Sequence, residues 1–341
     1  MVSGKFLIDL KSSRSWAWLN KNSSSTATYL PSLLSSLSTA FSKTFLGISV
    51  FGFEFSLLNP GISNPDCSFL LEPIEGGSSS NDGSTPLDRL FERLFQQSLV
   101  LSVWLEFDFP YKDQPLVYFT LADDLNNKPS SSLRKLVDLI FAPSNPFFKH
   151  MPSKLSFDTD QILDWLASCP DGQIQQLGFS LRDNKVQPRV LLKSDPEILS
   201  SYLAETNAWE VLESVCEFQQ CLLAFAYPYS WEQTFACEVV ADRCAQSNLR
   251  NLRHPPRIRG SRFFNVLKQL IMRDKSIVID PAEIQSVLNS LEHRSTVPTT
   301  SLGVGQCIDL SGWNHLKLTF VQLKLENLKI YGGTVRNHFQ Q

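Results

Sequence analysis

The chain has 341 residues, with 31 basic against 34 acidic side chains and a formal net charge of -3. That balance gives no global attraction to nucleic acid or to an anionic membrane. A hydrophobic content of 43% with 19% charged residues excludes a disordered chain. The apolar run at Met1–Leu10 is broken by Lys5 and Asp9, unlike a signal peptide, and no stretch of about 18 uncharged apolar residues could span a bilayer. The seven cysteines are an odd set, irregularly spaced. Cys216/Cys221 and Cys237/Cys244 lack the tight spacing of zinc knuckles, so free thiols in a reducing, cytoplasmic compartment are expected.

Taken in order, residues 22–29 are rich in Ser and Thr. Leu30, Leu33, Leu34, Leu37 and Phe41 then recur at helical spacing, predicting a helix over about 29–43. The period switches to two in Gly47–Leu58, where Phe51, Phe53, Phe55 and Leu57 alternate with Gly52, Glu54 and Ser56. Asn59–Gly61 is a turn signal, and Cys67–Pro73 is the return strand. A loop over Gly76–Thr85 leads to a helix at Pro86–Gln97. The pattern recurs with strands Leu99–Phe109 and Leu116–Leu121, then helices at about 131–141 and Asp158–Ala167, with an irregular stretch Pro143–Pro152 between them. The third unit is Ile174–Arg182 and Arg189–Lys193, followed by helical sequence over about 196–218, read as one helix or two. The fourth is Leu222–Tyr227 and Thr234–Val240, followed by helices at about 261–273 and 281–291 and a loop through Pro298 and Gly305. The fifth is His315–Val321 and Leu325–Tyr331.

This gives an α+β chain of about ten strands in five antiparallel hairpins, separated by helices. Each hairpin carries one apolar and one mixed face. A sheet of that size must shield or remove its edges. Closure removes them, and a barrel wider than the eight-stranded kind leaves room for a ligand. The alternatives are an open sheet, or two smaller domains divided near residue 150. The expected organisation is an N-terminal segment over 1–28, one barrel-like domain over 29–335, and a tail over 336–341.

The order of hairpins and helices over about 30–335 resembles the ABBA, or PT-barrel, aromatic prenyltransferases. The resemblance implies a ten-stranded antiparallel barrel with helices outside, and a biosynthetic transferase of secondary metabolism. It implies transfer of a prenyl group from an allylic diphosphate to an aromatic, possibly indole-like, acceptor inside the chamber. The alternative is a non-catalytic small-molecule or peptide-binding module of the same architecture. No short signature anchors residues, so roles are carried over by strand face and chemistry. With apolar faces toward the helices, the chamber receives Glu54, Ser56, Trp104, Glu106, Tyr118, Thr120, Ser180, Arg182, Glu238, His315, Lys317, Thr319, Lys329 and Tyr331, with Arg189 and Lys193 on a shorter strand. The leaving diphosphate needs cations and phenol donors, for which Arg182, Lys317, Lys329 and Tyr331 are the candidates. Trp104 and Tyr118 suit the shielding of an allylic cation. Glu106 is the candidate for positioning the acceptor and taking its proton, with His315 as an alternative base and Glu54 and Glu238 next in order. No cofactor is required by this chemistry; Mg2+ accompanying the diphosphate is left open, as is the oligomeric state.

Other features carry less. Arg250–Lys275 holds eight basic residues and one acid, Asp274, but no nucleic-acid-binding motif, and reads first as a solvated loop and helix face. Asp123 and Asp124 lack a second acid at metal-binding spacing and read as a turn. Gly303, Gly305, Gly332 and Gly333 form no phosphate-binding fingerprint, and no GxSxG frames a nucleophile.

Overall fold

The computed structural model describes residues 14–22, 46–57, 65–73, 86–108, 115–122, 131–141, 157–170, 172–182, 185–213, 221–227, 233–240, 267–270, 282, 289, 293–298 and 306–338. Eleven strands form one sheet. They are β1 Leu46–Ser56, β2 Asp66–Pro73, β3 Val100–Phe107, β4 Leu116–Leu121, β5 Gln173–Arg182, β6 Lys185–Ser194, β7 Cys221–Ala226, β8 Thr234–Val240, β9 His293–Pro298, β10 Gln306–Val321 and β11 Lys324–His338. Strands β1 to β8 follow one another, β8 pairs with β10, β10 with β11, and β11 returns to β1. Every one of these pairings is antiparallel, so the ten strands close into a barrel. Closure satisfies the ladder bonds that an open edge would leave bare.

The expected hairpins are all present, and two of them are longer than the alternation predicts. β6 starts at Lys185 rather than Arg189, and β10 starts at Gln306. The early half of β10 pairs with β9, a strand where the sequence suggested only helix and loop. Its later half, from His315, pairs with β8. A bulge at Asn314 separates the two halves, shifting register between Trp313 and His315. Such an extra residue bends the strand and resets which side chains face inward.

Six helices have defined bounds: α1 Arg14–Asn22, α2 Pro86–Gln96, α3 Ser131–Phe141, α4 Thr159–Ser168, α5 Pro196–Leu203 and α6 Asn207–Glu213. The sequence expected the span now divided between α5 and α6 as one helix or two. α4 opens on a capping box in which Asp158 accepts from the Gln161 backbone and Gln161 accepts from the Asp158 backbone, satisfying donors that a helix start leaves free. The helix expected over 29–43 lies outside the described residues. Of those expected over 261–273 and 281–291, only 267–270, 282 and 289 are described, all helical.

The core lies outside the barrel wall, between strands and helices. The outward positions of β1 are Phe51, Phe53 and Phe55, all buried. Trp18 of α1 stacks on Phe53 at 5.3 Å and meets Phe55 edge-on at 5.5 Å. Phe91 of α2 meets Phe119 of β4, and Phe141 of α3 meets Phe179 of β5. On the far side Phe235 of β8 stacks on Phe320 of β10 at 4.9 Å. Each such ring removed from water contributes about 2–3 kcal/mol, with a further fraction from aromatic geometry. The many phenylalanines thus form a belt around the barrel's outer surface, and the opposite face of every strand is left for the interior.

Candidate functional site

The two faces of the wall differ in what reaches them. On β10 and β11 the outward Leu316, Leu318, Leu328 and Ile330 are at most 2% exposed. Their inward neighbours His315, Lys317 and Lys329 keep 14%, 15% and 20% side-chain exposure. Solvent therefore reaches the inside of the barrel wall while the outer face is sealed by helices. The inward residues line the barrel's interior, as the strand alternation predicts.

Register places these side chains in rows around the wall. Glu238, Lys317, Lys329 and Ser56 are successive partners across β8, β10, β11 and β1. His315, Tyr331, Glu54 and Asp66 are partners across β10, β11, β1 and β2. Trp104, Tyr118, Gly178, Arg189 and Ala226 are partners across β3 to β7. Glu106 lies beside Ser68 and Leu116.

The first two rows lock together. The Lys329 ammonium donates to Asp66 Oδ2 at 2.6 Å and to Glu54 Oε1 at 3.2 Å. The Lys317 ammonium donates to the Tyr331 hydroxyl at 3.1 Å and lies 3.6 Å from Glu238 Oε1. The imidazole of His315 stacks on the Tyr331 ring at 3.8 Å, with Nε2 3.8 Å from Glu238 Oε2, too far for a hydrogen bond. Among the described residues, two buried polar atoms of these rows have no hydrogen-bond partner, Glu54 Oε2 and His315 Nε2. An unmade bond at a buried polar atom costs energy unless a ligand supplies it.

Protonation follows from this packing. Burial alone pushes the Glu54 carboxyl up, but Lys317, Lys329 and the Tyr331 hydroxyl outweigh it and hold the group at about 2. Glu106 goes the other way. Burial, with Glu54, Glu238 and Asp108 nearby, lifts it to about 7 despite the opposing pull of Lys317. Burial moves Tyr118 up to about 12 and Tyr331 well above its usual range, so both phenols remain proton donors. Burial opposes the ammonium of both lysines, yet Glu106, Glu54 and Glu238 drive the pKa of Lys317 well upward, and Glu54 and Asp66 raise that of Lys329. Burial depresses His315, leaving a neutral ring. Because Arg189, Glu106, Lys317 and Glu238 all act on the Tyr118 hydroxyl, the β3–β6 wall and the β8–β11 wall share one interior.

The structure therefore brings together Glu106, His315, Trp104, Tyr118, Glu238, Lys317, Lys329 and Tyr331. Arg182 ends β5 opposite Lys185, and its side chain lies outside the described residues. So do Asp123, Asp124 and most of the basic stretch 250–275, of which Lys268 is exposed. Cys67, Cys169 and Cys237 are buried cysteines. The sequence reading missed Asp66, because β2 begins one residue earlier than expected. Its parity with Ser68 and Leu70 was the available signal. Asp66, Glu54 and Asp108 each place an oxygen within 4.8 Å of the others, a hard-donor set of the kind Mg2+ takes. The Lys329 ammonium already serves as counter-ion to two of the three, so the trio is a poor fit to a resident metal. No family model matches the sequence, and a search of curated proteins found no match.

Proposed function

We propose that the chain is an aromatic prenyltransferase, moving a prenyl group from an allylic diphosphate to an aromatic acceptor inside the barrel. The observation that carries this reading is the shared interior of Glu106, Lys317, Tyr118 and Tyr331, whose protonation states match the reaction's needs. Phenols and ammonium groups that stay protonated donate to the departing diphosphate. The allylic C–O bond breaks and its electron pair leaves on the diphosphate. Trp104 and Tyr118, register partners on β3 and β4, offer ring faces to the allylic cation and keep water from it. The acceptor's π electrons form the new bond, and the ring then loses its proton to Glu106, whose pKa of about 7 suits a general base near neutrality. His315 is the second candidate for that proton.

One observation favours a second reading, a binding module without turnover. One pair of interior lysines, Lys317 and Lys329, is already matched to carboxylates, which lowers the positive charge on offer to a donor. The purified protein incubated with dimethylallyl or geranyl diphosphate and a panel of indole and phenol acceptors separates the two. Formation of an acceptor heavier by one prenyl unit, detected by mass spectrometry, supports the transferase. Saturable acceptor binding without any product selects the binding module.

A further inference from the structure

The rows of the interior differ in how their cations are used. Lys329 and Lys317 face carboxylates at 2.6–3.6 Å. Arg189 does not: among the described residues its guanidinium bonds only neutral groups, Ser180 Oγ at 3.4 Å and Gln187 Oε1 at 3.3 Å. Both contacts are long for bonds to a charged donor, so most of its donor capacity is unspent. Its neighbours on either side are the two smallest residues. Gly178 is its partner on β5 and Ala226 on β7. At Gly178 a side chain cannot be added, because its Cβ would collide with the Val117 carbonyl and lie 2.9 Å from the Tyr118 ring. Tyr118 thus packs directly on the bare Gly178 backbone, with its protonated hydroxyl within electrostatic reach of the guanidinium, and on the other side of Arg189 the residue Ala226 presents only a methyl group. Ala224 and Ala236, partners across β7 and β8, continue the small-residue wall one row away.

We infer that Arg189 is the principal anchor for the donor's diphosphate, placing that group against the β5–β7 wall, with the lysines of β10 and β11 as secondary electrostatic partners. The identity of the anion rests on the prenyltransferase reading; the anion site itself does not. A guanidinium presents a planar fork that two phosphate oxygens match, whereas Lys317 and Lys329 would each first have to give up a carboxylate. Ser180 and Gln187 hold the fork in place from the side. The donor's hydrocarbon then runs along Ala224 and Ala226, toward the acidic wall where Glu54 and Glu106 meet the acceptor.

The test uses the full chain and inorganic pyrophosphate, measured by isothermal titration calorimetry, with prenyl transfer assayed in parallel. Arg189→Ala is expected to weaken pyrophosphate at least tenfold, and Arg189→Lys to recover part of the loss. Ala226→Leu keeps the arginine and fills the space beside it; it is expected to weaken pyrophosphate to a similar degree, and it guards against a folding defect peculiar to losing Arg189. Wild-type pyrophosphate affinity in folded Arg189→Ala, or no pyrophosphate binding by the wild type, overturns the anion site. Loss of pyrophosphate binding in both variants from a protein that makes no prenylated product keeps the anion site and removes the prenyltransferase. Transfer with unchanged donor KM in Arg189→Ala does the reverse.

Discussion

Lys329 and Asp66 meet at 2.6 Å although 263 residues separate them in the chain. The lysine is on β11 and the aspartate on β2, so the ion pair reaches over β1 and clasps the seam where the last strand closes on the first. Glu54, on the strand between, shares the same ammonium.

Replacing Lys329 by Met leaves two carboxylates without their cation in a largely buried setting. Breaking a buried pair from one side costs about 3–5 kcal/mol; the residual exposure of Lys329 and Asp66 places this case at the low end, about 2–3 kcal/mol. Urea denaturation at pH 7 measures it. A midpoint equal to wild type would show that the clasp contributes nothing to closure.

Glu54 and Glu106 impose opposite pH dependences on stability. The folded Glu54 carboxyl sits at about 2, below the usual 4.5, so its contribution is present above pH 4.5 and is lost as pH falls toward 2. Glu106 sits at about 7, above 4.5, so the fold favours its protonated form and loses stability as pH rises from 4.5 through 7. Glu106→Gln is therefore expected to match wild type near pH 4 and to exceed it by about 3 kcal/mol at pH 8. Thermal melts at the two pH values check the sign; a variant less stable than wild type at pH 8 contradicts it.

If Glu106 takes the acceptor's proton, the same group shapes the rate. Wild-type kcat/KM for the acceptor is expected to rise with pH and level off above about 7. Glu106→Gln is expected to lower turnover by about 10²–10⁴-fold while leaving pyrophosphate affinity within a factor of about two. An unchanged rate in Glu106→Gln transfers the role to His315, for which His315→Asn is the companion variant.

Under the proposed reading, Trp104 guards a cation and not a proton. Trp104→Leu is expected to shift products from prenylated acceptor toward the free prenyl alcohol formed by water capture, with donor consumption falling less than acceptor alkylation. Chromatography of both products gives the ratio. A constant ratio removes Trp104 from the cation's surroundings.

Much of the barrel is written in the sequence as alternation. Phe51, Phe53 and Phe55 against Gly52 and Glu54 announce both the strand and its two environments, and the same logic placed Trp104, Glu106, Lys317 and Tyr331 on the inner face. What alternation does not carry is phase across an irregularity. The bulge at Asn314 breaks the count between Trp313 and His315, which hid the first half of β10, and with it β9. Asp66 was obscured because it follows Pro65 directly, where a strand start and a turn end look alike. α1 lies in a Ser-rich segment and is held by its tryptophans stacking on β1, a tertiary contact with no local signature. Nor could one sequence reveal that Lys329 is taken by Asp66 and Glu54 while Arg189 is not. That depends on which strands become neighbours on closure.

The inside-out placement of the core has an evolutionary corollary. Because the load of packing sits on one parity of each strand and the candidate site on the other, a substitution at Trp104, Glu106, Tyr118 or Arg189 changes the interior face without opening a hole in the phenylalanine belt. Such a barrel keeps its packing on one parity while the other varies, and the odd and even positions of its strands are free to evolve at different rates.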